Sequence, residues 1–438
     1  MNEINAYKEA LDSAWHKDTA QSSLERWLQL TEQEGWDSTP EEIEALVGVF
    51  GASWYFTRFI YVNGNDAADL VAEQDISGFT TEGIYEHIAA NMPHESLEAR
   101  LEKLRFLKNR FMLKILLAFL SRKSSQEKVE CALTCLAEAT LRYMARIFRL
   151  SPELAKSPVS ILGMGRMAGY EMTFGSDLDL IFLYKGDGGA IDPKIEREIR
   201  ALLRNIPLSS PMGVLYDVDM RLRPHGNAGV LVTSHKSFLE YHNEQRDIWE
   251  RQMMTRCRPV LNISDEVNAL MNELNRSIYA KYDKNNLKNE ILYMRKRVQK
   301  ELGSPAGKYE VKRGQGGIMD IDFICHYLQL AYGHDLPELQ VPSTRRALRL
   351  LHKTGYIEED THAELLECYD FLKRIEMSLR LFDMKTVSAF PVEARSDIAL
   401  SRAMGFYKGD GEDFITAFRN VTGKVRANFR KLVGDPDV

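Results

Sequence analysis

Over the first 150 residues apolar positions recur three and four apart, as in Leu101, Leu104, Leu107 and Phe111 and again in Leu133, Ala137, Leu141 and Met144. That period predicts amphipathic helices. Polar and turn-forming residues interrupt it near 37–40, 63–65 and 92–93. After a short connection at 151–158, bracketed by Pro152 and Pro158, the pattern changes. Residues 159–184 read VSILGMGRMAGYEMTFGSDLDLIFLY, an apolar run that ends in glycines, crosses a turn and returns as an alternating segment. Strand, glycine turn and strand are expected there. Residues 213–224, GVLYDVDMRLRP, predict a further strand closed by Pro224, and 229–233, GVLVT, another. Ser234 can cap the helix that follows, and Ser237 with Glu240 has a capping-box spacing. Between the main strands, 193–205 predicts a helix with Ile195, Ile199 and Leu202 on one face.

Downstream the helical period resumes at 285–302 through Leu287, Ile291, Met294, Val298 and Leu302, and glycines break it at 303–307. Gly314, Gly316 and Gly317 then lead into a long helix, and further helices are expected at 344–353, 360–382 and 414–432. These pack by default as an antiparallel bundle. The fold class is therefore α+β and helix-rich: a small mixed sheet flanked by an N-terminal helical domain and a C-terminal helical bundle. The expected boundaries are 1–125, 126–312 and 313–438.

The chemistry concentrates in the alternating segments. Successive side chains of a strand point to opposite faces, so Asp177 and Asp179 share one side while Leu178 and Leu180 take the other. Two carboxylates that close repel unless a cation lies between them, and a hard divalent ion with oxygen ligands suits the pair. On the second strand Asp217, Asp219, Arg221 and Arg223 fall on one face, with Val218, Met220 and Leu222 on the other. Acids for metal and planar cations for phosphate oxygens are what nucleoside triphosphate chemistry needs. The competing explanation is an edge strand laced by salt bridges.

Other polar residues carry weaker signals. Trp249, Glu250, Arg251, Arg256 and Arg258 read equally well as a tryptophan packed under the sheet with flanking ion pairs. The aromatic-rich stretch 54–61 reads as core. Lys312 and Arg313 are candidate phosphate or acceptor contacts. At helical spacing Asp320 and Asp322 diverge by about 200° and cannot share a site.

Composition narrows the class. With 44% hydrophobic and 27% charged residues in 438, the chain is ordinary globular material long enough for two or three domains. A formal charge of −6 argues against a nucleic-acid partner, which needs a basic surface. Five scattered cysteines make neither a disulfide framework nor a paired zinc motif. No apolar run is long enough to span a bilayer and the N-terminus has no signal-peptide pattern, so a cytoplasmic location is expected.

Taken together, GMGRMAGYEMTFGSDLDLIF, GVLYDVDMRLRPHGNAGVLVTS, IWERQMMTRCRPV and KRGQGGIMDIDF resemble the glutamine synthetase adenylyltransferase family, within the polymerase-beta-like nucleotidyltransferase superfamily. The resemblance covers most of the chain between about residues 97 and 383 and includes one catalytic unit where the family usually has two. It implies Mg²⁺, ATP as substrate and a tyrosine of glutamine synthetase as acceptor, with regulation of nitrogen assimilation as the outcome. It also implies Asp177, Asp179 and Asp219 as metal-binding catalytic acids, and Gly165, Arg166, Gly169, Ser176, Arg221 and Arg223 as nucleotide contacts. The family segment usually reads G-x-G-K-L-G-G; here Arg166 and Ala168 depart from it, and an alanine at a position needing positive φ would be strained. GSDLDL and GNAGVLVTS lean toward AMP addition. The alternatives are phosphorolytic removal of AMP and a decayed nucleotide-binding regulatory module. The PII signalling protein is a further possible partner.

Overall fold

The computed structural model describes residues 4, 6–36, 38–64, 75–150, 159–186, 188–244, 247–303, 305–382, 384–393 and 398–435. The connection expected at 151–158 lies outside them.

Among the described residues seven helices come first: α1 Lys8–Ser13, α2 Lys17–Glu34, α3 Pro40–Ala52, α4 Trp54–Asn63, α5 Thr81–Ala90, α6 Leu97–Leu120 and α7 Gln126–Ile147. Their starts are written locally. Thr39 and Glu42 form a reciprocal capping box ahead of Pro40, and the hydroxyls of Thr80, Ser96 and Ser125 each accept a first-turn amide. The stretch 54–61 is core as expected at Phe56 and Ile60, whereas Trp54 is half exposed.

The sheet contains β1 Val159–Met164, β2 Leu178–Tyr184, β3 Val218–Asp219, β4 Val232–Ser234 and β5 Cys257–Leu261. β1 lies between β2 and β5, antiparallel to both, and β2 pairs in parallel with β3 and β4. Between them run α8 Gly165–Ala168, α9 Pro193–Asn205, α10 His235–Asn243 and α11 Ile248–Met254. α9 matches its expected limits. Ser234 caps α10 by accepting from the Ser237 amide.

Period-two alternation sorts the sheet residues into two cores. Val159, Ile161, Leu178, Leu180 and Phe182 pack with the N-terminal helices. Leu162, Met164, Ile181 and Leu183 pack with the C-terminal ones. With both faces covered, the central strands read as nearly continuous apolar runs.

The C-terminal part comprises α12 Asp265–Ile278, α13 Lys284–Leu302, α14 Ile318–Tyr332, α15 Thr344–Lys353, α16 Glu359–Leu381, α17 Ile398–Ala403 and α18 Glu412–Leu432, with a two-stranded ribbon of β6 Lys308–Glu310 and β7 Ala389–Pro391. α15 matches the expected 344–353, and α13, α16 and α18 fall within two residues of theirs.

Two expectations fail. The strand predicted over 213–224 shrinks to Val218–Asp219, because the Asp219 carboxylate accepts the Arg221 amide at 2.8 Å and turns the chain out of the ladder. Trp249 does not pack under the sheet: it is 42% exposed, and its ring nitrogen donates to Asp247.

Candidate active site

β2 and the parallel strand β3 meet in a register that sets Leu178 against Val218 and Asp179 against Asp219. The Leu178 amide donates to the Asp217 carbonyl at 2.8 Å and fixes that alignment. Alternation along β2 puts Asp177 on the same side as Asp179, while Leu178 and Leu180 are buried opposite. One carboxylate oxygen from each of Asp177, Asp179 and Asp219 consequently lies within 4.8 Å of the other two. Asp177 and Asp219 line an open cleft of about 520 Å³, together with Arg221 and Asn227. Asp217 lines the cleft as well but stands outside the converging set.

The three acids are not electrostatically equivalent. Burial, followed by the charges of Asp177 and Asp219, pushes the Asp179 carboxyl up to about 7, although Lys312 and Arg221 pull the other way. Asp219 moves down, because the Arg221 side chain and amide donate to it. The Arg221 Nε lies 3.0 and 2.8 Å from the two Asp219 oxygens, and the arginine is 72% exposed. An all-oxygen donor set whose middle member resists ionisation carries a surplus of negative charge, and such a set fits a hard divalent cation.

Gly165 begins the turn after β1 with φ +57°, and a Cβ there would meet an Asp179 oxygen at 2.9 Å. Backbone and acid are in close approach, which only glycine permits. Ala168 sits in the short helix α8 with none of the strain anticipated for it; the left-handed positions nearby are Gly165 and Tyr170. Gly169 packs against Arg256, whose Nη2 a Cβ would approach to 2.6 Å.

The loop from Gly165 to Ser176 is gripped from behind by buried ion pairs. Arg166 donates to Asp322 at 3.0 Å, to the Tyr369 hydroxyl at 2.7 Å and to Glu171 at 3.2 Å. Arg256 binds Glu171, Asp322 at 3.0 Å, the Thr344 hydroxyl at 2.8 Å and the Gly165 carbonyl at 3.2 Å. Burial alone would raise the Glu171 carboxyl, but the charges of Arg256 and Arg166 hold it far below its ordinary value. Ser176 is buried, and its hydroxyl lies 3.0 Å from the Thr173 amide and hydroxyl and 3.4 Å from Arg380. Arg380 also donates to the Thr173 hydroxyl at 2.8 Å and to Glu376 at 2.9 Å, and Lys373 completes the chain by donating to Glu376 at 2.9 Å and to the Glu171 carbonyl at 3.1 Å.

The expected residues thus divide by place. Asp177, Asp179, Asp219, Gly165 and Arg221 come together. Arg166 and Ser176 engage the ionic network, and Arg223 holds its own loop by donating to the Met220 and Gly229 carbonyls. Asp320 and Asp322 diverge as their spacing requires: Asp320 pairs with Arg295 and Arg426, Asp322 with Arg166 and Arg256. Sequence reasoning missed Glu171, Lys373, Glu376 and Arg380. The available signal was three charges at 373, 376 and 380, spaced three and four apart among the apolar positions Leu372, Ile375 and Met377 of the helix.

Residues 43–273 match the model of the family described as glutamate-ammonia ligase adenylyltransferase, and residues 285–433 match that of the GlnD PII-uridylyltransferase. Among curated proteins, the chain is 32% identical over 310 residues to the bifunctional glutamine synthetase adenylyltransferase/adenylyl-removing enzyme of Nitrosomonas eutropha, covering 69% of this chain and 33% of that one. The protein of the same description from Chromobacterium violaceum is 35% identical over 230 residues, 52% of this chain and 25% of its own. That from Aromatoleum aromaticum is 29% identical over 357 residues, 77% of this chain and 38% of its own. The chain therefore spans about a third of the length of the curated relatives it matches. With the three converging acids inside a family match that covers more than half of its residues, the chain belongs to the glutamate-ammonia ligase adenylyltransferase family.

Proposed function

We propose that this chain transfers AMP from ATP to a tyrosine of glutamine synthetase in the cytoplasm and so regulates nitrogen assimilation. The observation that carries the reading is the convergence of Asp177, Asp179 and Asp219 beside an open cleft. The phenol oxygen forms a bond to the α-phosphorus, the bond from that phosphorus to its bridging oxygen breaks, and pyrophosphate leaves. Asp177, Asp179 and Asp219 would hold Mg²⁺, which when bound supplies positive charge to the phosphoryl oxygens. Asp219, on the cleft wall, receives the phenol proton. Gly165 brings backbone against Asp179, and the exposed Arg221 can turn from Asp219 to a phosphate oxygen. Arg166, Gly169 and Ser176 serve by holding the loop that shapes the nucleotide site, and Arg223 by holding the β3–β4 connection. The PII signalling protein is proposed as a regulator that docks on the helical parts, a reading supported by the C-terminal likeness to the PII-uridylyltransferase model.

The test supplies labelled ATP, Mg²⁺ and unmodified glutamine synthetase, and reads the acceptor by mass spectrometry. A tyrosine bearing AMP is expected, and Asp177→Asn should abolish it. Rapid ADP release from adenylylated glutamine synthetase and phosphate, with no addition, would reverse the assigned direction. Transfer of label to RNA alone would overturn the acceptor.

A further inference from the structure

Away from the acids, α15 and α16 form a hairpin whose turn gathers three side chains. His352 stands in the last turn of α15, and Glu359 and His362 lie three apart on the first turn of α16. Residues three apart share a helix face. One donor atom from each lies within 4.8 Å of the other two.

The His352 Nδ1 lies 3.1 Å from the Ile357 carbonyl, an acceptor that requires a proton on that nitrogen. Its Nε2 lies 2.6 Å from a Glu359 oxygen. In the neutral ring this Nε2 is a bare lone pair facing a carboxylate, which is repulsive unless a proton or a metal ion stands between. His362 stacks on His352 with centroids 4.8 Å apart and planes at 11°. Both of its ring nitrogens are shut off from solvent and find no hydrogen-bond partner among the described residues. Unpartnered buried polar atoms call for a missing ligand.

We propose that His352, Glu359 and His362 form a binding site for a zinc-class divalent ion, with the Ile357 carbonyl orienting His352 from behind. Two imidazoles and one carboxylate are a known donor set for Zn²⁺, which leaves a fourth position for water. The backbone acceptor on Nδ1 is the usual support for an imidazole ligand. In the near-parallel stack the His362 lone pairs lie in the plane of its ring, so binding would require that ring to rotate about its Cβ–Cγ bond toward the other two donors. The neighbouring charges permit a cation: Arg349 is occupied by Glu127 at 2.8 and 2.5 Å, and Lys431 pairs with Glu358 at 2.6 Å. The ion would staple the hairpin whose other residues, Thr344, Tyr369, Lys373 and Arg380, grip the loop of the acid site.

The experiment titrates the chelator-stripped full chain with ZnCl₂ by calorimetry, and with Co²⁺ for its visible spectrum. One tight Zn²⁺ equivalent and a tetrahedral Co²⁺ spectrum are expected, both kept by the double variant Asp177→Asn/Asp179→Asn. His352→Ala and His362→Ala should weaken binding by about 100-fold or more, at or above the usual loss for an outer-shell partner. Glu359→Gln, at a side chain 70% exposed, should do so without unfolding the chain. Zn²⁺ should raise the unfolding midpoint of the parent and of none of these three. Absence of tight Zn²⁺ binding, unchanged affinity in His362→Ala, or loss of the equivalent in the Asp177/Asp179 variant would overturn the site.

Discussion

Replacing Asp179 by asparagine removes the acid that the fold least tolerates in its charged form. In the metal-free protein its carboxyl moves from 3.8 to about 7, through burial first and the charges of Asp177 and Asp219 next. At about 1.36 kcal/mol for each pH unit, ionising Asp179 in the folded state costs about 4 kcal/mol more than in the unfolded chain, an order-of-magnitude figure shared with its two neighbours. The sign follows from a folded pKa above the unfolded one. The contribution of Asp179 to stability is complete below pH 3.8 and is lost as pH rises through about 7. Asp179→Asn carries no such loss. In urea denaturation with EDTA, the variant should match the parent near pH 4 and exceed it increasingly up to pH 8, by as much as about 4 kcal/mol. Saturating Mg²⁺ should restore the parent and leave the variant nearly unchanged, while the variant loses AMP transfer by about a thousandfold or more. A variant no more stable than the parent at pH 8 in EDTA, or a Mg²⁺ effect equal in both proteins, would refute the argument from repulsion.

Glu376→Gln takes from Lys373 and Arg380 the buried carboxylate they share, leaving Lys373 the more distant Glu130 at 3.7 Å, and should destabilise the protein by about 3–5 kcal/mol in urea denaturation at pH 7. Gly165→Ala places a Cβ 2.9 Å from an Asp179 oxygen at φ +57°. It should cost about 1–2 kcal/mol of stability and weaken Mg²⁺-dependent ATP binding in calorimetry. Arg221→Ala removes the donor that holds Asp219 below its ordinary pKa, so the acid limb of the pH–rate profile should move to higher pH.

Much of the architecture is visible in local pattern. Amphipathic period and terminal residues delimit α9 and α15 to the residue, since Pro193 and Ser343 act within their own first turns. The glycine turn after β1 and the acids at 177 and 179 are equally local, although the positive φ falls at Gly165 and not at Ala168. Less legible were the features that depend on neighbours distant in the chain. Residues 220–224 alternate as a strand should, yet Asp219 captures the next amide but one and ends the ladder. Arg166 looks like a phosphate cation, but its partners Asp322 and Tyr369 come from 156 and 203 residues away.

By itself, then, the sequence determined that Asp177 and Asp179 project from one side of a strand, because alternation is a property of the extended backbone. It also determined where the helices at 193–205, 285–302, 344–353, 360–382 and 414–432 start and stop to within two residues, because caps and apolar periods act within a few residues. Asp219 was named beside Asp177 and Asp179 only through the family resemblance, and it is the parallel register of β3 against β2 that brings it to the pair; tertiary structure alone decided that Glu171, Lys373, Glu376 and Arg380 secure the loop behind it. Those roles rest on burial. In a solvated chain water screens such charges and makes their pairings nearly indifferent, whereas inside the folded protein an unpaired one is too costly to keep.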